Sequence, residues 1–146
     1  MKSSIMKYLF LFWFGGSFYV TLEVLFRERS HVSMFLLAGI VFIFLGMMNK
    51  VSGWEFPLVY QILIGTTFAT VAEFITGCIV NLWLGLNVWD YSNLPFNICG
   101  QVSLYFTLLW IPITLLAIVL DDVIRWKFFN EENPRYWIGN KCFEVK

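Results

Sequence analysis

The sequence predicts an all-α integral membrane protein with four transmembrane helices. Of its 146 residues, 59% are hydrophobic and only 14% charged, where an ordinary soluble domain carries about 25% charged residues. The apolar residues gather into four stretches, near 5–26, 34–49, 57–80 and 100–120, and a helix crosses a hydrocarbon core in about 20 residues. Two glutamates, Glu23 and Glu73, stand inside such stretches. A carboxylate within a membrane segment is costly, so it faces protein or water and marks a specific site.

The first span carries Tyr8 and Trp13, then Gly15-Gly16, then Glu23, and ends at Arg27-Glu28-Arg29. Lys2 and Lys7 ahead of an apolar run resemble the start of a secretory signal. The run is longer than a signal core and no clean small-x-small cleavage site follows, so an uncleaved span is expected. The second span is the shortest, with Val32 as an alternative start, and its Gly39 and Gly46 allow close helix packing in place of bulk. Pro57 suits the first turn of the third helix, where its missing N–H is not needed.

Beyond Gly77, residues 81–99 mix apolar and polar types, with Trp83 and Trp89 suited to headgroup level. This stretch reads as an interfacial or re-entrant segment between helices 3 and 4, a backbone tolerated at depth only where protein or water covers it. The fourth span holds Pro112, an expected kink, and closes at Asp121-Asp122. A single transmembrane domain, 1–126, is thus followed by an aromatic and basic tail, 127–146, expected as an interfacial helix with an irregular end. Lys2, Lys7, Lys50, Arg125 and Lys127 on one side, against Arg27 and Arg29 on the other, place both termini in the cytoplasm.

Gly15, Phe18 and Glu23 recur fifty residues on as Gly65, Phe68 and Glu73, which would fit two hairpin repeats, 1–50 and 51–120. In the third helix Thr66, Ala69, Thr70, Glu73, Thr76 and Gly77 share one small, polar face. The fourth helix carries a similar stripe in Gly100, Ser103, Thr107 and Thr114. The two stripes are expected to meet around Glu73, with Glu23 joining from the face of Gly16, Tyr19 and Val20.

Two roles are open to each glutamate. It could bind a proton, a cation or a polar substrate, or it could be satisfied locally. Arg27 would satisfy Glu23, and threonine hydroxyls with Asn81 would satisfy Glu73. The candidate binding residues are therefore Glu73, Glu23, Asp90, Asn97, Thr70 and Asn81. Asp90 and Asn97 would either form a mouth over the site or cap the turn before the fourth helix. Arg27, Arg29 and His31 form a surface polar cluster, suited to an anion or a lipid headgroup if it is more than a solvated loop.

Zero net charge and the lack of any Lys/Arg-rich run argue against nucleic acid. The three cysteines, Cys78, Cys99 and Cys142, have neither metal nor redox spacing and read as buried small residues, although a Cys78–Cys99 disulfide is conceivable. No phosphate loop, Gly-x-Ser-x-Gly elbow or His-Glu-x-x-His helix occurs. No metal, cofactor or enzymatic activity is expected, the weaker alternative being an intramembrane enzyme using Glu73, Asp90 and His31.

The run from Glu73 through Trp89-Asp90-Tyr91-Ser92-Asn93-Leu94-Pro95-Phe96-Asn97 to Gly100-Gln101, with Glu23, Arg27, Ser30-His31, Gly39, Asn49 and Leu120-Asp121-Asp122, resembles the bacterial family labelled "putative ABC transporter type IV", or CmpB-like. The resemblance spans roughly 10–126. It implies a small polytopic helical protein of the bacterial inner membrane, a permease component in contact with membrane lipids. It further implies a homo-oligomer and a separate ATP-hydrolysing subunit. The alternative is a non-transporting scaffold or regulatory partner. No catalytic residues carry over from the family.

Overall fold

A computed structural model describes residues 2–146, and four long helices make up most of it. They are α1 (Lys2–Arg27), α2 (Val32–Ser52), α3 (Leu58–Gly77) and α4 (Leu104–Phe129). A π-helical turn, Cys78–Trp83, extends α3 without a break, and a hairpin of β1 (Arg135–Ile138) and β2 (Lys141–Glu144) ends the chain. Each helix, with α3 counted to Trp83, is long and apolar enough to cross a membrane.

The helices are lipid-facing on the outside and tight on the inside. Trp13, Phe26, Leu63, Ile75 and Leu108 are all more than half exposed. So much apolar surface is untenable in water and natural against acyl chains. The central element is α2, of which 61% of the most apolar window is buried, against 17%, 28% and 22% for the other three. Glycines permit this. A Cβ at Gly15 would run into Phe42, one at Gly16 would meet the Phe35 carbonyl at 2.7 Å, and one at Gly39 the Phe12 ring at 2.8 Å. The second span starts at Val32 and runs to Ser52, past the expected end at 49, because Asn49 is buried against neighbours and does not have to leave the helix for water, while Lys50, Val51 and Ser52 beyond it are exposed.

Caps set the helix ends. His31 is the N-cap of α2, its Nδ1 accepting from the Ser33 amide at 3.1 Å. Ser103 is the N-cap of α4, its hydroxyl accepting from the Phe106 amide at 3.4 Å. Ser103 and Gly100 thus precede the fourth helix, whose start is later than the expected residue 100. Pro112 lies inside α4, which runs on through it.

The tail differs most from expectation. Asp121 and Asp122 do not close the fourth span, because both are answered inside the protein. Arg125, one turn on, pairs with Asp121, while Asn49 Nδ2 and the Tyr136 hydroxyl each donate to Asp122 Oδ2 at 2.8 Å. The helix consequently continues to Phe129 and stops at Asn130, which adopts the left-handed conformation. In place of an interfacial helix, the last residues pair as an antiparallel hairpin around Gly139-Asn140, with Gly139 at φ 59°. Tyr136 is buried under the bundle, held up to Asp122, and Trp54 packs edge-on against it.

Both termini lie at one end, where Lys7 and Lys50 converge on Glu131 at 2.6 and 3.0 Å. Burial would push the Glu131 carboxyl up, but hydrogen bonds from Lys7 and Lys50 outweigh it and hold the carboxyl below its ordinary range. The triad ties the start of α1 to the ends of α2 and α4. Since the folded-state value is depressed, its contribution is complete above the ordinary value of 4.5 and is lost as pH falls through the folded value. Thermal melts in detergent should show a falling Tm on acidification in that window, with Glu131→Gln losing less; identical pH profiles would show that the triad adds no stability. Gly15→Leu should lower Tm sharply, by overpacking of about 1–3 kcal/mol or more, while lipid-facing Leu25→Ala changes it little.

Candidate functional site

Glu73 sits fully inside the bundle, 2% exposed. The residues that satisfy it are neither threonines nor Asn81. The Tyr91 hydroxyl donates to Oε1 at 3.3 Å, and the Trp110 indole N–H donates to Oε2 at 3.2 Å. Among the described residues no cation lies within ion-pair distance of it. Each donor is held by stacking: Trp110 lies on Tyr19 of α1 (centroids 5.5 Å apart, 13° between planes) and Tyr91 on Phe106 of α4 (4.3 Å, 12°). Burial, and then the nearby Glu73 carboxylate, push the Tyr91 hydroxyl up, which keeps it a donor. One carboxylate thus joins α1, α3, α4 and the segment between α3 and α4.

That segment turns inward. Asn81 organises it, donating to Gln101 Oε1 at 2.8 Å and accepting from the Val88 and Trp89 amides at 2.7 and 3.4 Å. The Trp89 indole donates to the Gln101 carbonyl at 3.0 Å, and Trp89, Tyr91, Gln101 and Val102 are all buried. Glu73 lies two turns, about 12 Å along a helix axis, from Asn81, so the Tyr91 side chain reaches well into the bundle to meet it. The π turn at Cys78–Trp83 widens the helix where Asn81 makes these bonds.

The remaining candidates divide. Asp90 is exposed and accepts from the Ser92 amide at 2.9 Å and from the Ser92 hydroxyl, bonds that hold its carboxyl below the usual range. Asn97 donates to the Leu94 carbonyl at 2.9 Å and accepts from the Gly100 amide at 3.0 Å. Both shape the turn, as the capping alternative expects, and neither bonds Glu73. Gly100 has φ 69°, and a Cβ there would press on Asp90 and Ser92 at 2.8 Å, so glycine is required. The Thr70 hydroxyl oxygen is buried without a partner one turn before Glu73. The predicted stripes do meet, Thr66 against Thr114 at 3.5 Å.

Glu23 takes Arg27 at 3.5 Å and the Ser30 hydroxyl at 3.2 Å, and Arg27 lies over the Phe106 ring at 5.5 Å. Arg27 therefore belongs to the Glu23 side of the Tyr91–Phe106 stack, while Arg29 is exposed and His31 is spent on its cap. The repeated triplets have unlike surroundings: Glu23 is paired at a helix end, whereas Glu73 is buried among aromatics. Cys78 is half-buried and Cys99 and Cys142 are exposed, all three as free thiols.

Tyr91 and Trp110 were not expected at the site, whereas Tyr19 stands on the α1 face that was expected to join it. Tyr91 and Trp110 are 18 and 37 residues from Glu73, beyond any helical spacing; their only signal is that both carry an N–H or O–H and must find an acceptor when buried. Beside Trp110 an apolar void of about 30 Å³, lined by Gly15, Tyr19 and Thr114 among others, has room for little more than one water.

Four spanning helices around a buried carboxylate, closed by an inward-turning segment, define a small polytopic membrane protein with an internal polar site. The family described as "Putative ABC-transporter type IV" matches residues 6–139, and the chain belongs to that family. No curated protein and no solved structure matches it.

Tyr91→Phe should leave Glu73 short of a donor and destabilise the protein by about 1–3 kcal/mol. Hydrogen exchange should then accelerate across residues 84–103 while α2 amides stay protected. Unchanged exchange in that segment would show that the Tyr91–Glu73 bond does not hold it.

Proposed function

We propose that the chain is the membrane component of a transporter that moves a small solute or ion past Glu73, and that it has no catalytic role of its own. One observation carries this reading. Among the described residues the Glu73 carboxylate is held in the bundle by neutral donors alone, and one of those donors, Tyr91, belongs to an irregular segment that turns in from the bundle end. A charge so held can take up a cation or proton when the segment withdraws, with the unpartnered Thr70 hydroxyl one turn away as a further ligand. The void beside Trp110 is too small for a solute, and withdrawal of the segment would enlarge the space at Glu73.

The family supports a separate ATP-hydrolysing partner, and four spans suit an oligomer better than a complete single-chain pathway. Eight of the ten basic residues lie at the end that holds both termini, all except Arg27 and Arg29, which supports cytoplasmic termini in a bacterial inner membrane. The second reading is a non-transporting scaffold or regulatory subunit. It is favoured by the hydrogen bond that each Glu73 oxygen already accepts, which makes the carboxylate a structural anchor.

Gentle extraction of tagged protein, followed by mass spectrometry and reconstitution with whatever co-purifies, separates the two. The transport reading expects a stoichiometric ATP-hydrolysing subunit and solute or ion flux in liposomes that Glu73→Gln abolishes while Tm is largely kept. Flux that survives Glu73→Gln would remove Glu73 from the pathway, and a well-folded assembly without flux would favour the scaffold.

A further inference from the structure

At the opposite end of the bundle from Glu73, a cavity of about 610 Å³ opens between α2, α4 and the turn that follows α4, within the size range of small-molecule sites. Gly46, Asn49, Lys50, Asp122, Arg125 and Glu131 line it. Its charges are unequally compensated. Glu131 is held by Lys7 and Lys50, and Arg125 by Asp121. Asp122, 3% exposed, accepts from the neutral donors Asn49 and Tyr136, and both bonds fall on Oδ2. Among the described residues no cation is within ion-pair distance of it.

Two atoms of the same wall are buried without hydrogen-bond partners: Arg125 Nη1, a donor whose guanidinium lies over the Tyr8 ring at 5.4 Å, and Asn49 Oδ1, an acceptor. Their side chains are 2% and 4% exposed. Buried polar groups are expensive to leave unbonded, and a buried charge more so. An anion alone would answer Arg125 and be repelled by Asp122. A cation alone would answer Asp122 and Asn49 Oδ1 and leave Arg125 Nη1 bare. A group carrying both, close together, answers all three.

We infer that this cavity binds a small zwitterion, a primary ammonium joined by a short linker to an oxyanion. The ammonium lies against Asp122 and Asn49 Oδ1, and the oxyanion against Arg125 Nη1 and Lys50. Two sources present that chemistry at a membrane surface, a soluble zwitterion in the adjoining water and the headgroup of phosphatidylethanolamine. The site is independent of any flux past Glu73.

Calorimetric titration of the full chain in phosphatidylcholine nanodiscs tests this with O-phosphoethanolamine, ethanolamine and inorganic phosphate as probes. Native mass spectrometry from mixed lipid complements it by measuring retention of phosphatidylethanolamine over phosphatidylcholine, whose quaternary ammonium cannot donate. O-phosphoethanolamine should bind at least about tenfold more tightly than either half alone, and Asp122→Asn should weaken it by about tenfold to a hundredfold. Binding of the soluble probe that persists in phosphatidylethanolamine nanodiscs identifies a free solute. Loss of that binding there, or selective retention of phosphatidylethanolamine, identifies the lipid. The proposal is overturned if neither form binds, if phosphate alone binds equally well, or if folded Asp122→Asn binds unchanged. The wild-type probe comparison decides the matter even where Asp122→Asn does not fold.

Discussion

No water reaches the hydrocarbon interior to answer a charge, so the carboxylates buried in this chain dictate what must surround them. Glu73 draws a tyrosine from a connecting segment and a tryptophan from α4. Asp121 holds Arg125, and Asp122 draws Asn49 from α2 and Tyr136 from the terminal hairpin. The irregular parts of the molecule, the 84–103 segment and the hairpin, are each pinned by one buried acid. Removing a partner leaves a charge in a medium that cannot solvate it, whereas a pair at a water-exposed surface would cost little to lose.

Close packing makes these bonds reachable. With Gly15, Gly16 and Gly39 at the α1–α2 contact, aromatic rings occupy the space that a Cβ would take. Gly46 does the same for Asp121, letting the carboxylate lie against the α2 backbone. The central position of α2 follows, since it alone presents small residues to α1 and to α4. Stacked rings, Tyr19 on Trp110 and Tyr91 on Phe106, then fix the donors around Glu73. Rigidity of this kind suits an anchor, and it also means that any movement of the inward-turning segment is coupled to α1 and α4 through one carboxylate.

The two polar centres sit at opposite ends and differ in chemistry. Around Glu73 the donors are neutral and aromatic, and the adjoining space is small. Around Asp122 the walls carry both signs of charge and the cavity is large enough for a small molecule. Bilayer proteins commonly place ionisable groups where a substrate, ion or lipid is handled, and here the group with the roomier setting is the one that the linear chain presents as a helix end.

Four spans, the meeting of the threonine stripes and the Glu23–Arg27 pair were readable in the chain, because length, hydropathy and three-to-four spacing are local properties of a helix. The end of the fourth span was not. Asp121-Asp122 looks like a boundary when water is assumed to be the only partner for adjacent acids; Asp121 has Arg125 one turn on, but the partners of Asp122, Asn49 and Tyr136, lie 73 and 14 residues away. Gly139-Asn140 carried a hairpin signal, but only four residues flank it on each side in strands, too few to stand out from an irregular end. Nothing in the linear chain links Tyr91 and Trp110 to Glu73, and folding brings them to that one carboxylate. Periodicity shows which residues share a helix face. Which distant donor satisfies a buried acid depends on how helices and loops close on one another, and only the tertiary structure decided that.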